Sequence, residues 1–266
     1  MASISLISLA PVKGLALVHP HAVELGLDGV EGDRRYYLVD ADGRLVNQKR
    51  LGSLTRVSPE VGDGRLLLRF PGEVVEGEVE LGSETSTSFY GRPVAGRFVL
   101  GPWSEALSEH ARTPLRLVRT ELPGEGIDRG RRAGATLVST GSLRALAEAA
   151  GTDAVDARRF RMLLTLDGLE AHGEDAWIGR HVRAGGAVIR VEGNVGRCVV
   201  TSRDPDTGER DLATLDVLAS YRGDLQTSEP LPFGVYGSVL VPGRVRVGDS
   251  ATPISSRITA GGAARN

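Results

Sequence analysis

One cysteine, Cys198, stands beside an arginine in the stretch Gly196–Arg197–Cys198. A neighbouring guanidinium favours the thiolate. Thiolate sulfur is a soft ligand for a transition metal, and it is also a nucleophile that carries sulfur. A lone cysteine ahead of two valines is more often a small buried hydrophobe, so the residue alone does not decide. Asp204–Pro205–Asp206–Thr207–Gly208 follows and reads as a turn: proline fixes φ, the aspartates bond backbone amides and glycine permits positive φ.

Four further stretches carry groups suited to an anion. Lys13, in Pro11–Val12–Lys13–Gly14 after the first strand, either points at an anion beside the Gly14 amide or is an exposed turn lysine. Arg34 and Arg35 are adjacent just before a strand and could fork onto phosphate while Asp33 holds one of them. Ser139 and Thr140 lead into a helix, where hydroxyls and free amides make an anion site or a plain cap. Arg161, in Arg159–Phe160–Arg161, opens an apolar strand and faces solvent or a pocket. Histidines 19, 21, 110, 172 and 181 lack zinc-ligand spacing. The acidic run through Asp167, Glu170, His172, Glu174 and Asp175 reads as a solvated loop.

The elements that must position these groups are mostly strands. Residues 4–100 read as short strands between glycine turns: Tyr36–Val39, a hairpin turn Asp40–Gly43, then Leu45–Val46, Arg65–Phe70, Glu73–Leu81 and Val94–Leu100. A helix near Trp103–Leu107 with Ser104 as its cap is expected, then a strand from Leu115 to Arg119. The strongest helix is Ser142–Ala150, capped by Thr140 or Ser142 and stopped by Gly151. A helix with Asp156, Arg158 and Arg159 and a strand Phe160–Leu166 come next. Strands at Val188–Val191 and Val199–Thr201, a helix at Asp211–Tyr221 and a closing hairpin of Val235–Val241 with Arg244–Val247 complete the chain.

Composition narrows the classes. The chain has 266 residues, 41% hydrophobic and 25% charged, which is ordinary globular composition with enough length for two small domains. Net charge is −2, so no basic excess recommends a nucleic-acid or membrane-surface role. One cysteine cannot close an intramolecular disulfide, which fits a reducing, cytoplasmic setting. No apolar run reaches the roughly 18 residues of a membrane helix. The expected fold is α+β and β-rich, with lobes at 1–115 and 116–250 and a flexible tail at 251–266.

The order of the pieces says more than any one of them. Pro-Val-Lys, Gly-Asp-Arg-Arg, Asn47–Gln48–Lys49–Arg50, Ser-Thr-Gly-Ser, Arg-Phe-Arg, Arg-Cys with Asp-Pro-Asp-Thr-Gly, and Pro232–Phe233–Gly234 succeed one another. This resembles the MOSC superfamily, named for the molybdenum cofactor sulfurase C-terminal domain. It is most similar to the branch with an N-terminal MOSC β-barrel, which includes the mitochondrial amidoxime-reducing component. The resemblance implies a twisted β-barrel core with an N-terminal barrel lobe and peripheral helices, and a molybdenum–molybdopterin cofactor with cysteine sulfur on the metal. Carried over by position, Cys198 would be the metal ligand and catalytic residue. Lys13, Arg34, Arg35, Ser139, Thr140, Arg161, Asn194 and Arg197 would surround the cofactor. The wider family adds pyridoxal phosphate binding as a further reading. Gly14 stands where the reductase branch often has serine, and Met162–Leu163 where it tends to have Pro-Asn.

The resemblance implies reduction of N-hydroxylated small molecules. With no spare cysteine for an iron–sulfur cluster, electrons would come from a separate ferredoxin- or flavin-type protein. The alternative is a sulfur carrier or sulfurtransferase holding a persulfide on Cys198. A cofactor carrier without turnover and a β-rich binding protein with a structural cysteine are further readings.

Overall fold

The structure, a computed structural model, describes residues 1–227 and 229–255. Seven strands close a barrel: β1 (Ala2–Ile7), β2 (Ala135–Ser139), β3 (Leu164–Asp167), β4 (His181–Ala184), β5 (Ala187–Gly196), β6 (Pro232–Val241) and β7 (Ser250–Ile254). Their order around the wall is β1-β3-β2-β6-β5-β4-β7, and β7 returns to β1 through Ala2↔Ala251 and Ser3↔Ser250. The β2–β3 pair is parallel, with Leu137 opposite Leu164. Parallel neighbours need a long crossover, and helix α2 (Thr140–Ala150) lies in it. Alternate residues point inward, so Ile4, Leu137, Leu164, Val182, Ile189 and Val235 fill the interior. Each such side chain contributes about 1.5–3 kcal/mol by leaving water.

The β-rich barrel fold expected from the sequence is what the chain adopts. Glu80–Phe89, Arg92–Leu100, Arg116–Thr120, Tyr36–Val39 and Leu45–Val46 make a five-stranded sheet. Ser58–Gly62, Arg65–Phe70 and Glu73–Glu78 make a second sheet. Helix α1 (Trp103–Ala111) covers them, and Trp103 donates its indole N–H to the Leu66 carbonyl at 3.2 Å. Helix α3 (Thr214–Arg222) packs on α2 through Leu218 and Leu146. Among the described residues no helix is long and apolar enough to cross a membrane.

Several expectations are corrected. Residues 251–254 are not tail: they form most of β7, because the barrel needs a strand between β4 and β1. The rest of the expected tail, 256–266, lies outside the described residues. Arg244–Val247 does not hairpin with β6; Gly243–Arg246 pairs with Ala22–Gly26 instead. Val199–Thr201 is not a strand but part of a 3₁₀ turn, Val199–Ser202. The expected helix at Asp156–Arg159 is also a single 3₁₀ turn, Ala157–Phe160, whose first free amide bonds the Asp156 carboxylate. Ser104 does not cap α1; its hydroxyl accepts the Leu117 amide at 3.1 Å. The cap of α2 is Ser139, whose Oγ accepts the Ser142 amide at 3.0 Å.

The run at 167–175 is solvated only in its first part: Asp167 and Glu170 are exposed, while the end turns inward. Glu174 is fully buried and accepts the Ser142 hydroxyl at 2.7 Å and the Ser139 amide at 3.2 Å. His172 stands against the rings of Tyr221 and Phe233. Charge counts alone misled here, because Ser142 on α2 and Ser139 at the end of β2 supply the donors a buried carboxylate needs.

The Asp-Pro-Asp-Thr-Gly turn latches the lobes together. Asp204 Oδ1 accepts the amides of Thr207 at 2.7 Å and Asp206 at 3.0 Å. Thr55 donates its hydroxyl to the Pro205 carbonyl at 3.1 Å across the junction. Gly208 has φ +77°, and a Cβ there would strike the Gly52 carbonyl. Gly208→Ala therefore combines left-handed strain with a backbone clash and should cost about 1–3 kcal/mol in denaturant unfolding.

Burial, with Arg222 pushing the same way, pulls the His172 pKa down to about 4. The unfolded chain then binds more protons than the folded chain between about pH 6.5 and about 4. This contribution to stability is whole above that window and falls as pH drops through it. Thermal unfolding of wild type beside His172→Phe across the window should show a steeper acid decline for wild type.

Candidate functional site

The strand β1 runs into Ala10–Lys13, which is zipped to residues 33–36. Ala10 donates its amide to Asp33 Oδ1 at 2.8 Å, Arg34 its amide to the Ala10 carbonyl at 2.8 Å, and Lys13 its amide to the Tyr36 carbonyl at 2.7 Å. This places Lys13 and Arg34 side by side on one wall of a cleft of about 450 Å³. The opposite wall carries Arg161, Arg197 and Cys198. The cleft thus lies where the first lobe meets the barrel.

Arg34 and Arg161 both have φ of 53°, a region that non-glycine residues seldom occupy. The Arg34 guanidinium pairs with Asp33 and donates to the Arg161 carbonyl at 2.9 Å, so each strained residue holds the other. Strain of this kind gathers where side chains must be aimed. Gly14 has φ +92°, and a Cβ there would come 3.0 Å from Asn47 Cα, so serine would not fit as the backbone stands. The other departure also has a local reason: Met162 Sδ accepts from Arg197 at 3.0 Å.

The cleft is cationic. Seven basic side chains line it against three carboxylates among the described residues. Lys13, 7% exposed, donates to the Gly126 carbonyl at 2.8 Å and pairs with Asp128. Burial nonetheless lowers its pKa, with Arg34 and Arg161 adding to the effect against Asp128. Arg161 is pulled to about 9 by burial and then by Arg34. Its Nη1 makes one long hydrogen bond to Gln48 Oε1 at 3.4 Å, and its Nη2 has no partner among the described residues. Arg197 is also pulled to about 9, by burial first and against the pull of Cys198 and Glu174. Its donors are spent on the chain: Nε reaches the Phe233 carbonyl at 2.8 Å, Nη1 the Phe160 carbonyl at 3.1 Å, and the guanidinium stacks over Phe160.

Cys198 is a free, partly exposed thiol at the start of the 3₁₀ turn. Its carbonyl accepts the Thr201 amide and hydroxyl at 3.0 Å and 2.9 Å, which fixes the backbone under the sulfur. Lys49 faces it from the other lobe. Burial works to lower the Lys49 pKa, but Cys198, Tyr90 and Asp128 outweigh it and hold the value above normal.

The structure brings Lys13, Arg34, Arg161, Arg197 and Cys198 into one cleft and leaves four other predicted residues outside its lining. Arg35 donates to Thr120 Oγ1 at 3.0 Å and the Glu121 carbonyl at 3.3 Å. Ser139 caps α2 and Thr140 is that helix's first residue. Asn194 donates to Asp175 Oδ1 at 2.7 Å, and Asp175 accepts Arg222 at 2.6 Å, so it braces β5 behind the cysteine. Sequence reasoning missed Gln48, Lys49, Tyr90 and Asp128 as lining residues. Asn47–Gln48–Lys49 was visible as part of the ordered pattern, and its polar side chains between strands were the available signal.

Comparison with known proteins agrees with this geometry. The MOSC domain model matches residues 126–252 and the MOSC N-terminal beta barrel domain model matches residues 1–89. The mitochondrial amidoxime reducing component 2 of Rattus norvegicus is 27% identical over 89% of this chain and 78% of its own length. The molybdenum cofactor sulfurase of Anopheles gambiae is 27% identical over 87% of this chain, which spans only 33% of that protein. The human mitochondrial amidoxime reducing component 2 is 37% identical over a shorter stretch, 34% of this chain and 28% of that protein.

The two buried arginines differ in a testable way. Arg161 is a desolvated charge with few partners, so Arg161→Met should raise the thermal midpoint of the ligand-free chain. Arg197→Met leaves two buried carbonyls without donors and should lower stability by about 1–3 kcal/mol in the same assay.

Proposed function

The chain belongs to the MOSC family, and on that premise we propose that the cleft holds a pterin–molybdenum cofactor with Cys198 as the protein ligand to the metal. The observation that carries this reading is a half-buried free thiol in a cleft whose seven basic side chains outnumber its three carboxylates among the described residues. An anionic cofactor with a phosphate and a sulfur-rich metal centre answers both features. Lys13, Arg34 and Arg161 would hold its acidic end, because Lys13 feels the charge of both arginines and Arg34 reaches across to the Arg161 carbonyl. The unpartnered Arg161 Nη2 fits a group with acceptor oxygens.

When bound, the cofactor supplies two-electron redox chemistry at the metal. The chain's own part is to bind, orient and shield. Lys49 and Arg197 flank Cys198 in the cleft lining. Asn194, through Asp175 and Arg222, holds β5 so that the thiol keeps its position. The Tyr90 ring, with Lys49 over it at 4.7 Å, forms a rim against which a small organic base can lie. The proposed reaction is reduction of an N–O bond in an N-hydroxylated small molecule, oxygen leaving as water. The proposed electron source is a separate ferredoxin- or flavin-type protein, and the proposed setting is cytoplasmic.

A sulfur-carrier role remains a second reading, favoured by the similarity to the Anopheles sulfurase and by the partly exposed thiol. There Cys198 would hold a persulfide. Mass spectrometry of the intact chain separates the readings: an added sulfur on Cys198 without molybdenum supports the carrier.

The direct experiment is metal and pterin analysis of protein from a host that makes the cofactor. Wild type is expected to carry molybdenum and to reduce an amidoxime-type substrate with an artificial donor. Cys198→Ala should lose turnover. Arg161→Met should retain about 10–100-fold less cofactor. Wild type that holds the cofactor and turns nothing over would refute the reductase assignment.

A further inference from the structure

A second cavity of about 220 Å³ lies beside the cleft. One side comes from the first lobe, at Ala16–Leu17 and Thr55–Arg56, and the other from Arg158–Arg161 and residues 203–206. The two spaces share Gln48, Arg159, Arg161 and Val200 as a common wall.

The lining of this chamber is short of acceptors. Gln48 Nε2, Arg159 Nε, Arg161 Nη2 and Arg203 Nε are buried donors with no partner among the described residues, and all four residues line it. Gln48 is only 5% exposed, and the Arg159 side chain only 9%. The carboxylates nearby are already engaged. Asp206 takes Arg158 through both oxygens, at 2.7 and 2.9 Å, and Asp204 Oδ1 takes two backbone amides. Asp211 takes Arg159 through both oxygens at 2.6 Å, which leaves the Arg159 Nε–H over. Arg203 spends Nη1 on the Gly208 carbonyl at 2.7 Å and Nη2 on the Lys49 carbonyl at 3.5 Å, which leaves its Nε–H over.

Buried donors in folded proteins nearly always meet an acceptor. Arg161 Nη2 sits on the shared wall and is open to the cofactor, but Gln48 Nε2, Arg159 Nε and Arg203 Nε still call for a compact group with several acceptor oxygens and negative charge. We propose that this chamber is an oxyanion subsite that takes the carboxylate or phosphate of an acidic ligand whose remaining part reaches the cleft over the Gln48–Arg161 wall. The reach into the cleft rests on the functional reading above; oxyanion binding by the chamber does not. Burial and Arg210 lower the Arg203 pKa, and a bound anion would offset that desolvation.

The test uses the full chain, cofactor-free and cofactor-loaded, titrated with inorganic phosphate or acetate at constant ionic strength. Calorimetry gives affinity, and nitrogen-15 spectra of arginine side chains follow the Nε–H groups. Saturable binding of either anion is expected, with the Arg159 and Arg203 Nε–H signals moving together. Gln48→Leu should weaken binding about tenfold, equivalent to about 1.4 kcal/mol for one lost donor. The Nε–H shifts need no variant, so a failure of Gln48→Leu to fold leaves the test intact. Binding that persists in the loaded chain separates an acidic ligand from the cofactor's own phosphate. The proposal is overturned by no saturable binding of either anion at millimolar concentration. Binding untouched by both Gln48→Leu and Arg203→Lys also overturns it, as does cofactor alone reproducing the Nε–H shifts and abolishing phosphate binding. If the chain takes up no cofactor at all, the cofactor-free titration still decides the oxyanion question while the functional reading fails.

Discussion

Arg161 and Arg197 are drawn out of water into walls where, among the described residues, neither makes an ion pair. A desolvated guanidinium without a matching carboxylate is unfavourable by several kcal/mol, and a chain free to relax would turn it outward. Everything around the cleft works against that relaxation. The Arg161 backbone is fixed in a left-handed conformation and its carbonyl is tied to Arg34. The Arg197 side chain is tied to carbonyls on two other segments. The barrel supplies the stability against which this frustrated charge is held, through a packed interior of aliphatic side chains.

The two lobes share the cost and the site. Lys13, Arg34 and Lys49 come from the first, Arg161, Arg197 and Cys198 from the second. The second half alone sets two of these cations in one lining with the thiol, and the first adds the other three. The Thr55–Pro205 bond and the Gly52–Gly208 contact set the distance between the halves, so the turn that looked like punctuation in the sequence is a spacer for the cleft.

Much of this was legible beforehand, for reasons that differ by residue. Tyr36–Val39 and Arg65–Phe70 were readable because glycine and proline turns bound them and local rules suffice. Cys198, Lys13 and Arg161 were readable because the order of short motifs survives where overall identity is low. The Ser139 cap was missed by one residue, as helix ends often are. Glu174 was misread because its partners sit on α2 and at the end of β2, 32 and 35 residues away in sequence. Gly243–Arg246 was misread because its partner, Ala22–Gly26, lies at the far end of the chain. Lys49 and Asp128 needed the lobe junction itself, which no local pattern encodes.

The closure of β7 on β1 sets Ala2 against Ala251. On the ribosome the first of these residues is made long before the second. The barrel seam therefore stays open until Ser250 and Ala251 have been made. Closing the seam joins residues about as far apart in sequence as Ala2 and Ala251, and loop-closure entropy rises only slowly with that separation. A truncation that removed Ser250–Ile254 would leave β1 and β4 as bare edges, open to pairing between chains rather than within one.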